Sequence, residues 1–271
     1  MRYGVIADVH ANLHALDAAL AFLCSQKIDA YLCAGDLVGY GPQPNECVRR
    51  VLALPGRCVA GNHDLIAVER LGSEGCSRLA QASLSWTRRV LDDDVRALLA
   101  ELPLAARIEE IALHHGSAVD PREYVRTESQ ALACLDDLQR VHPSATVLIL
   151  GHTHRPLAVS KRRGSLLGRA PGTVELLADD PIVLNPGAVG QSRSRDTRAR
   201  VLVVDLEGRV ATFHAVSYDV DGCRQALRDR DLPPESCHLP RSRRTEVIDV
   251  LKGGVPRFRA LFGRLSAGRS R

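Results

Sequence analysis

The sequence lacks the patterns by which a chain usually reveals a membrane span, an export signal or a cysteine-based site. No run reaches the roughly 18 to 20 uncharged apolar residues that cross a bilayer. The start, MRYGVIADVH, has neither the long apolar region nor the cleavage site of a signal peptide. No two of the eight cysteines have the C-x-x-C spacing of zinc or redox sites. We therefore expect a soluble, cytoplasmic protein with reduced cysteines and no membrane partner.

Aromatic residues are also scarce, at 4% of the chain, whereas grooves for single-stranded nucleic acid interleave aromatic and basic side chains. Basic residues concentrate at the end, because residues 241–271 hold nine Arg or Lys against two acidic residues, a net +7. Since the whole chain carries +4, residues 1–240 carry −3. The basic tail could contact nucleic acid or anionic lipid, or be a solvated extension. Nucleic acid is thus an allowed but not a favoured partner, and no pattern indicates an oligomeric state.

What the chain does contain is an alternation of short apolar runs and helical spacings. The runs predict strands at residues 3–7, 30–34, 58–60, 111–113, 146–150, 182–184 and 201–204. Helical spacing predicts helices at residues 13–23 after an Asn12 cap, 48–52 after Pro44, 79–90, 95–102, and 128–140 after a Thr127 capping box. This order predicts an α/β fold with a more antiparallel second half. Because prolines interrupt the pattern after residue 220, we expect one domain at 1–220 and a C-terminal extension with a basic tail at 221–271.

Polar residues collect directly after five of the predicted strands. They occur in the segments Asp8-Val9-His10, Gly35-Asp36, Gly61-Asn62-His63-Asp64, His114-His115-Gly116 and Gly151-His152-Thr153-His154. Six of the ten histidines lie in these segments, although a structural histidine has no reason to follow a strand end. Because loops at the carboxyl ends of strands meet at one crevice, we expect these side chains to converge.

The residue types in these segments predict a metal site. Carboxylate and amide oxygens together with imidazole suit Mn, Fe, Co, Ni, Mg or Zn, whereas structural zinc prefers cysteine. The ligands are too numerous for one four-coordinate ion, so two ions that share a carboxylate are expected. Of these metals we take Mn²⁺ as the expected ion.

The ordered blocks D-x-H, GD, GNHD, H before G, and GHxH resemble those of the calcineurin-like metallophosphoesterase superfamily, over about residues 1–216. The loops GDLVGYGPQPNEC and LNPGAVGQ resemble those of its small bacterial and archaeal phosphodiesterase-like subgroup. The resemblance implies an α/β four-layer sandwich, with two mixed β-sheets packed together and flanked by helices. Ala11 departs from the usual D-x-H-G-N pattern, which affects the shape of this loop rather than metal ligation.

The resemblance also implies roles for individual residues. One metal would be held by Asp8, His10 and His154, the other by Asn62, His115 and His152, with Asp36 as the bridge. His115 is preferred over His114 because the family places its ligand directly before the glycine. His63 would be catalytic, stabilising the transition state or protonating the leaving oxygen. Asn12, Tyr40 and Arg155 follow ligand segments closely and are candidate substrate contacts; Arg193 could instead hold the LNPGAVGQ loop.

The implied reaction is hydrolysis of a phosphodiester in a small phosphate-ester or nucleotide substrate by a hydroxide that bridges two metal ions. Phosphomonoester, nucleotide or phosphoprotein hydrolysis would use the same ligands and remains an alternative, as does a nuclease. A non-catalytic scaffold of the same fold would tend to lose ligands or His63, and this chain retains both. Asp64 could orient His63, cap a helix or be an exposed carboxylate.

Overall fold

The computed structural model describes residues 1–167 and 172–238, which form two six-stranded sheets and their covering helices. The strands are β1 (Arg2–Ile6), β2 (Ala30–Cys33), β3 (Gly56–Cys58), β4 (Ala105–Ile108), β5 (Ile111–His114), β6 (Val147–Ile149), β7 (Pro156–Ser160), β8 (Gly164–Ser165), β9 (Thr173–Glu175), β10 (Ile182–Pro186), β11 (Ala199–Asp205) and β12 (Val210–Val216). The helices are α1 (Leu13–Cys24), α2 (Pro44–Leu52), α3 (Asn62–Ala67), α4 (Arg78–Val90), α5 (Asp93–Ala100), α6 (Glu128–Val141) and α7 (Val220–Arg228), followed by a 3-10 turn (Pro234–Cys237).

Both sheets are mixed. The first has the order β3-β2-β1-β11-β12-β9, and the second β4-β5-β6-β10-β7-β8. The early strands β1, β2 and β3 are parallel, whereas β10 with β7 and β11 with β12 are antiparallel. The second half is thus richer in antiparallel pairs, although β6 and β10 are parallel.

Three apolar clusters hold four layers together. Between the sheets, Val5 and Leu32 of the first sheet pack with Leu113 and Leu184 of the second, all fully buried. Because the side chains of a strand alternate between its two faces, the next residue, Ile6, points away from this interface. Ile6 packs in the cluster that includes residues of α1 to α5. The outer face of the second sheet packs on α6. The predicted sandwich of two mixed sheets flanked by helices is confirmed.

The side-chain caps predicted from the sequence are present at the starts of two helices, α1 and α6. The Asn12 side chain accepts a hydrogen bond from the Ala15 amide at 3.1 Å, as predicted for the cap of α1. The Thr127 hydroxyl accepts from the Gln130 amide at 3.3 Å, while the Gln130 side chain accepts from the Thr127 amide at 3.1 Å. These reciprocal bonds form the capping box predicted for α6.

The described residues after position 220 add to the same body. In α7, Cys223 and Leu227 are fully buried, and with Cys237 they form a small apolar cluster. The domain boundary near residue 220 stays a prediction, and the basic tail at 241–271 lies outside the described residues. None of the helices in residues 1–167 and 172–238 has the length and apolar character needed to cross a membrane.

Candidate metal centre

The polar segments after the five strands meet at one buried place. Asp8 and His10 follow β1, Asp36 follows β2, Asn62 and His63 begin α3 just after β3, His115 follows β5, and His152 and His154 follow β6. Each of these residues is at most 6% exposed. The strands belong to both sheets, so the site lies where the carboxyl ends of the two sheets adjoin.

The backbone is unusual at five of these positions. Asp8, His10, Asp36, His152 and His154 have φ values of 53°, 48°, 57°, 66° and 59°. Residues other than glycine rarely adopt this left-handed conformation, which is unfavourable by about 1 kcal/mol or more for each residue. Such strain persists only where surrounding contacts enforce it, and its concentration here is typical of a functional site.

The first group of donor atoms comes from Asp8, His10 and His154. The Nδ1 of His10 donates to the carbonyl of Val38 at 3.0 Å, and that of His154 donates to the carbonyl of Gln191 at 2.7 Å. The two Nε2 atoms are 3.2 Å apart, and Asp8 Oδ1 lies 3.4 Å from that of His154. Because each ring gives its proton to a carbonyl, each presents an Nε2 lone pair to the centre.

The second group surrounds Asp36. Its Oδ2 is 3.3 Å from His115 Nε2 and 3.6 Å from His10 Nε2, so this carboxylate touches both groups. Asn62 Oδ1 is 3.2 Å from the same His115 nitrogen, whose partner Nδ1 donates to the Ala34 carbonyl at 2.6 Å. The position of Asp36 between the groups fits the bridging role implied by the resemblance.

His152 completes the second group. Its Nε2 donates to the carbonyl of Arg122 at 3.0 Å, which leaves Nδ1 for the centre. The donor atoms of Asp36, His115 and His152 lie within 4.8 Å of one another, as do those of Asp8, His10 and His154. The four histidines therefore share one arrangement, in which one nitrogen is fixed by a backbone carbonyl and the other faces the centre.

The electrostatics of the first group fit a cation. Burial lowers the pKa of His10 to about 3 and holds the pKa of His154 well below its usual range, so both rings are neutral at pH 7. Their lone pairs then face each other at 3.2 Å, which is unfavourable without a proton or cation beside them. Asp8 Oδ2 is buried without a hydrogen-bond partner. A divalent ion would satisfy all three groups.

In the second group, the electrostatics favour a protonated His115. Burial disfavours the charged form of His115, but Asp36 outweighs burial and raises the pKa of His115 to about 10. In turn, burial opposes ionisation of Asp36, but His115 and His63 hold the pKa of Asp36 well below its usual range. A metal ligand must be neutral imidazole, so an ion binding here would release that proton.

His63 lies beside the centre with one free nitrogen. Its ring contacts the rings of His10 and Tyr40, with centroids 4.8 Å away in both cases. Its Nδ1 is buried without a hydrogen-bond partner. Gly39, with φ 85°, makes room for it, since a Cβ there would lie 2.3 Å from Nδ1. Burial lowers the pKa of His63 to about 4, so the ring is neutral at pH 7 rather than titrating near neutrality.

Asp64 has a structural position. Its Oδ1 accepts from the amides of Leu37 and Val38 at 2.8 and 3.1 Å, and its Oδ2 accepts from the amide of Gly61 at 2.9 Å. The interpretation as a helix cap is therefore confirmed, and the alternative of an exposed carboxylate is wrong because the residue is fully buried. By binding the turn after Asp36, Asp64 fixes the spacing between β2 and α3.

The three candidate substrate contacts lie in different surroundings. Asn12 is fully buried, and its amide nitrogen donates to the Gly190 carbonyl at 2.9 Å while its oxygen caps α1. Tyr40 is 5% exposed and packs edge-on against His10 at 4.8 Å. Arg155 is exposed and lines a cavity of about 510 Å³ that begins at His154. Tyr40 and Arg155 border the centre and the cavity beside it, whereas both polar atoms of the Asn12 side chain bond within the chain.

Sequence reasoning missed Tyr124. Its ring stacks on that of His152 with centroids 3.9 Å apart, and the Arg126 guanidinium lies 3.8 Å from the centre of the Tyr124 ring. No motif marks the loop that carries Tyr124. The available signal was an aromatic residue in the loop after His115, in a chain with only five tyrosines.

The sequence is similar to those of known proteins. The family model for the calcineurin-like phosphoesterase superfamily domain matches residues 1–209. Uncharacterized protein MJ0912 of Methanocaldococcus jannaschii is 30% identical over 237 residues, which cover 84% of this chain and 93% of that protein.

Two solved structures have a similar fold. A metallophosphoesterase from Sphaerobacter thermophilus is 30% identical with a TM-score of 0.74, covering 88% of this chain and 96% of that one. Hypothetical protein PH1004 from Pyrococcus horikoshii is 21% identical with a TM-score of 0.69, covering 87% and 96%, and this second likeness concerns the fold alone.

Proposed function

Because the chain belongs to the calcineurin-like phosphoesterase superfamily, we propose that it is a hydrolase that cleaves a phosphate ester with two divalent metal ions. The observation that supports this most is the pair of histidine Nε2 atoms 3.2 Å apart, beside an orphaned Asp8 oxygen. Two ring nitrogens without protons at this distance, next to a carboxyl oxygen without a hydrogen-bond partner, form a place for a cation. The second group, around Asp36, offers a place for another ion.

The proposed ligands follow the two groups of donor atoms. Asp8, His10 and His154 would hold one ion, Asn62, His115 and His152 the other, and Asp36 would contact both. Hard oxygens mixed with imidazole suit Mn²⁺, which we propose as the native ion, and equally suit Fe, Co, Ni, Mg or Zn. When bound, such ions lower the pKa of a water nucleophile and withdraw charge from phosphoryl oxygens.

The residues of the chain would divide the remaining work. The carbonyls of Val38, Ala34, Arg122 and Gln191 hold the four histidine rings in place, so the donor positions are set before substrate arrives. We assign proton donation to the leaving oxygen to His63. A neutral ring becomes a better proton carrier once an anion lies beside it, because negative charge favours the imidazolium.

We propose a phosphodiester as the substrate, on the resemblance of the loops GDLVGYGPQPNEC and LNPGAVGQ to those of the phosphodiesterase-like subgroup. Tyr40 would contact the reacting end of the substrate, since its ring packs on His10 and His63. Arg155 would contact a group that extends into the cavity beside His154. Phosphomonoester hydrolysis remains the alternative because it needs the same ligands. A cytoplasmic location and a catalytic domain of residues 1–220, on which helix α7 of the extension packs through α1, complete the proposal.

Metal removal tests the reaction class. Protein stripped by a chelator and then reloaded with Mn²⁺ is assayed on bis(4-nitrophenyl) phosphate and on 4-nitrophenyl phosphate in parallel. We expect both activities to vanish on stripping and to return on reloading, with the diester hydrolysed at the higher kcat/KM. A higher kcat/KM for the monoester would favour phosphomonoester hydrolysis instead. Hydrolysis that survives complete stripping would contradict the proposal of a metal-dependent hydrolase.

A further inference from the structure

Arg193 is a buried cation at the edge of the metal centre. It lies in the loop between β10 and β11 and is only 8% exposed. Arginine is rarely buried unless an acidic partner offsets the loss of hydration. The surroundings of its guanidinium therefore indicate what it is for.

The partners of Arg193 are neutral and distant. Its Nε donates to the side-chain oxygen of Gln191 at 3.3 Å, and its Nη1 donates to the hydroxyl of Tyr124 at 3.4 Å. Within residues 1–167 and 172–238, no carboxylate lies within 4 Å of this guanidinium and its Nη2 donates no hydrogen bond. By contrast, the half-exposed Arg163 is paired with Asp180 at 2.7 Å. A buried positive charge without a paired carboxylate calls for an anion from outside the chain.

The two contacts connect Arg193 to both groups of donor atoms through one intermediate residue each. Tyr124 stacks on His152 of one group, at 3.9 Å between ring centroids. The Gln191 carbonyl accepts from Nδ1 of His154 of the other group, at 2.7 Å. Arg193 is thereby tied to residues that touch one histidine of each group.

We propose that Arg193 binds the phosphoryl oxygens of the substrate, with the Tyr124 hydroxyl holding its fork in position. The guanidinium offers planar, parallel N–H donors that match a phosphate, and its unused Nη2 is free to donate. This inference rests on the function proposed above. It replaces the view that Arg193 only holds the LNPGAVGQ loop. Two hydrogen bonds to neutral oxygens, both longer than 3.2 Å, do not offset the loss of hydration of a buried guanidinium.

The test is calorimetric binding of inorganic phosphate to the Mn²⁺-loaded full chain. In Arg193→Met, which keeps the unbranched stem but loses the guanidinium charge, we expect the Kd for phosphate to rise about 10- to 100-fold, as for loss of charge-assisted hydrogen bonds. Metal content should stay at the wild-type value. Tyr124→Phe keeps the ring on His152 and should raise the Kd by roughly 3- to 10-fold.

Arg140→Met is the matched control, since Arg140 lies in the last turn of α6 and is exposed; its Kd should equal that of wild type. If Arg193→Met does not fold, Arg193→Lys decides: an intermediate Kd supports the proposal, because lysine lacks the fork, and a wild-type Kd overturns it. A folded Arg193→Met with wild-type Kd also overturns it while leaving the proposed function intact. If the loaded wild type neither binds phosphate nor hydrolyses either ester, the proposed function and this inference fail together.

Discussion

Asp36→Asn is expected to abolish turnover and to weaken metal binding at both groups of donor atoms. Asparagine has the same shape, and its oxygen can still accept from the His63 amide, as Asp36 Oδ1 does at 2.8 Å. Its NH₂ would replace Oδ2, the atom that faces His115 and His10 at 3.3 and 3.6 Å. A lone pair shared by both groups is thereby exchanged for protons. Metal affinity should fall by at least about 100-fold, since changes of residues that only support ligands already cost 10- to 100-fold.

The measurement is metal content after dialysis against a fixed free Mn²⁺ concentration, together with kcat on a phosphate ester. Asp93→Asn serves as control, because Asp93 is an exposed carboxylate in the first turn of α5. It should match the wild type in both readouts. An Asp36→Asn protein with normal metal content and normal turnover would remove the basis for a shared carboxylate.

The second large effect is expected for His63→Ala, which should keep its metal ions and lose turnover by roughly 10²- to 10⁴-fold, the usual contribution of an acid–base group. The reason is that both ligand groups are complete without His63, whose Nδ1 is buried and unpartnered. His63→Gln, which fills more of the space, should behave alike. If His63 donates the proton, the loss should be greater for an alkyl ester than for a 4-nitrophenyl ester, whose leaving group needs no proton.

Metal content separates this role from ligation. The donor atoms of His10, Asp36 and His63 also lie within 4.8 Å of one another, so His63 is near enough to serve as a ligand. A His63→Ala protein that binds one ion fewer would assign His63 to ligation and sink the catalytic role. His142→Ala is the control, since His142 caps the end of α6 and is only half-buried; it should keep both turnover and metal content.

Strands that end in a motif were predicted more completely than the other strands. β1, β2, β5 and β6 are apolar runs that end in a motif, and all four appear where predicted, whereas β3 spans Gly56–Cys58 instead of the predicted residues 58–60. β4, β7, β8, β9 and β12 were not predicted. Polar residues such as Thr212 and His214 interrupt the apolar run of β12, and β7 begins at Pro156, directly after the segment that ends at His154. The short helix α3 was not predicted, because Asn62 and His63 were interpreted as site residues of a loop and not as the first turn of a helix.

The site residues also fall into those that the sequence could predict and those that it could not. Positions after strand ends could be read from the sequence, since parallel strands bring their carboxyl ends together. The choice of His115 over His114 agrees with the structure, where His115 Nε2 lies 3.3 Å from Asp36 Oδ2. Among the described residues, His115 belongs to a group of possible metal ligands and His114 does not. The position of Arg193 could not be read, because it depends on how the loop after β10 folds back over Tyr124. Contacts between loops distant in sequence carry no local pattern.

The most direct test of the two-metal centre is anomalous scattering from a crystal of the Mn²⁺-loaded protein, with metal content measured on the same batch. We predict two anomalous peaks per chain, one among Asp8, His10 and His154 and one among Asn62, His115 and His152, with Asp36 in contact with both. A single peak, or peaks away from these residues, would contradict the account.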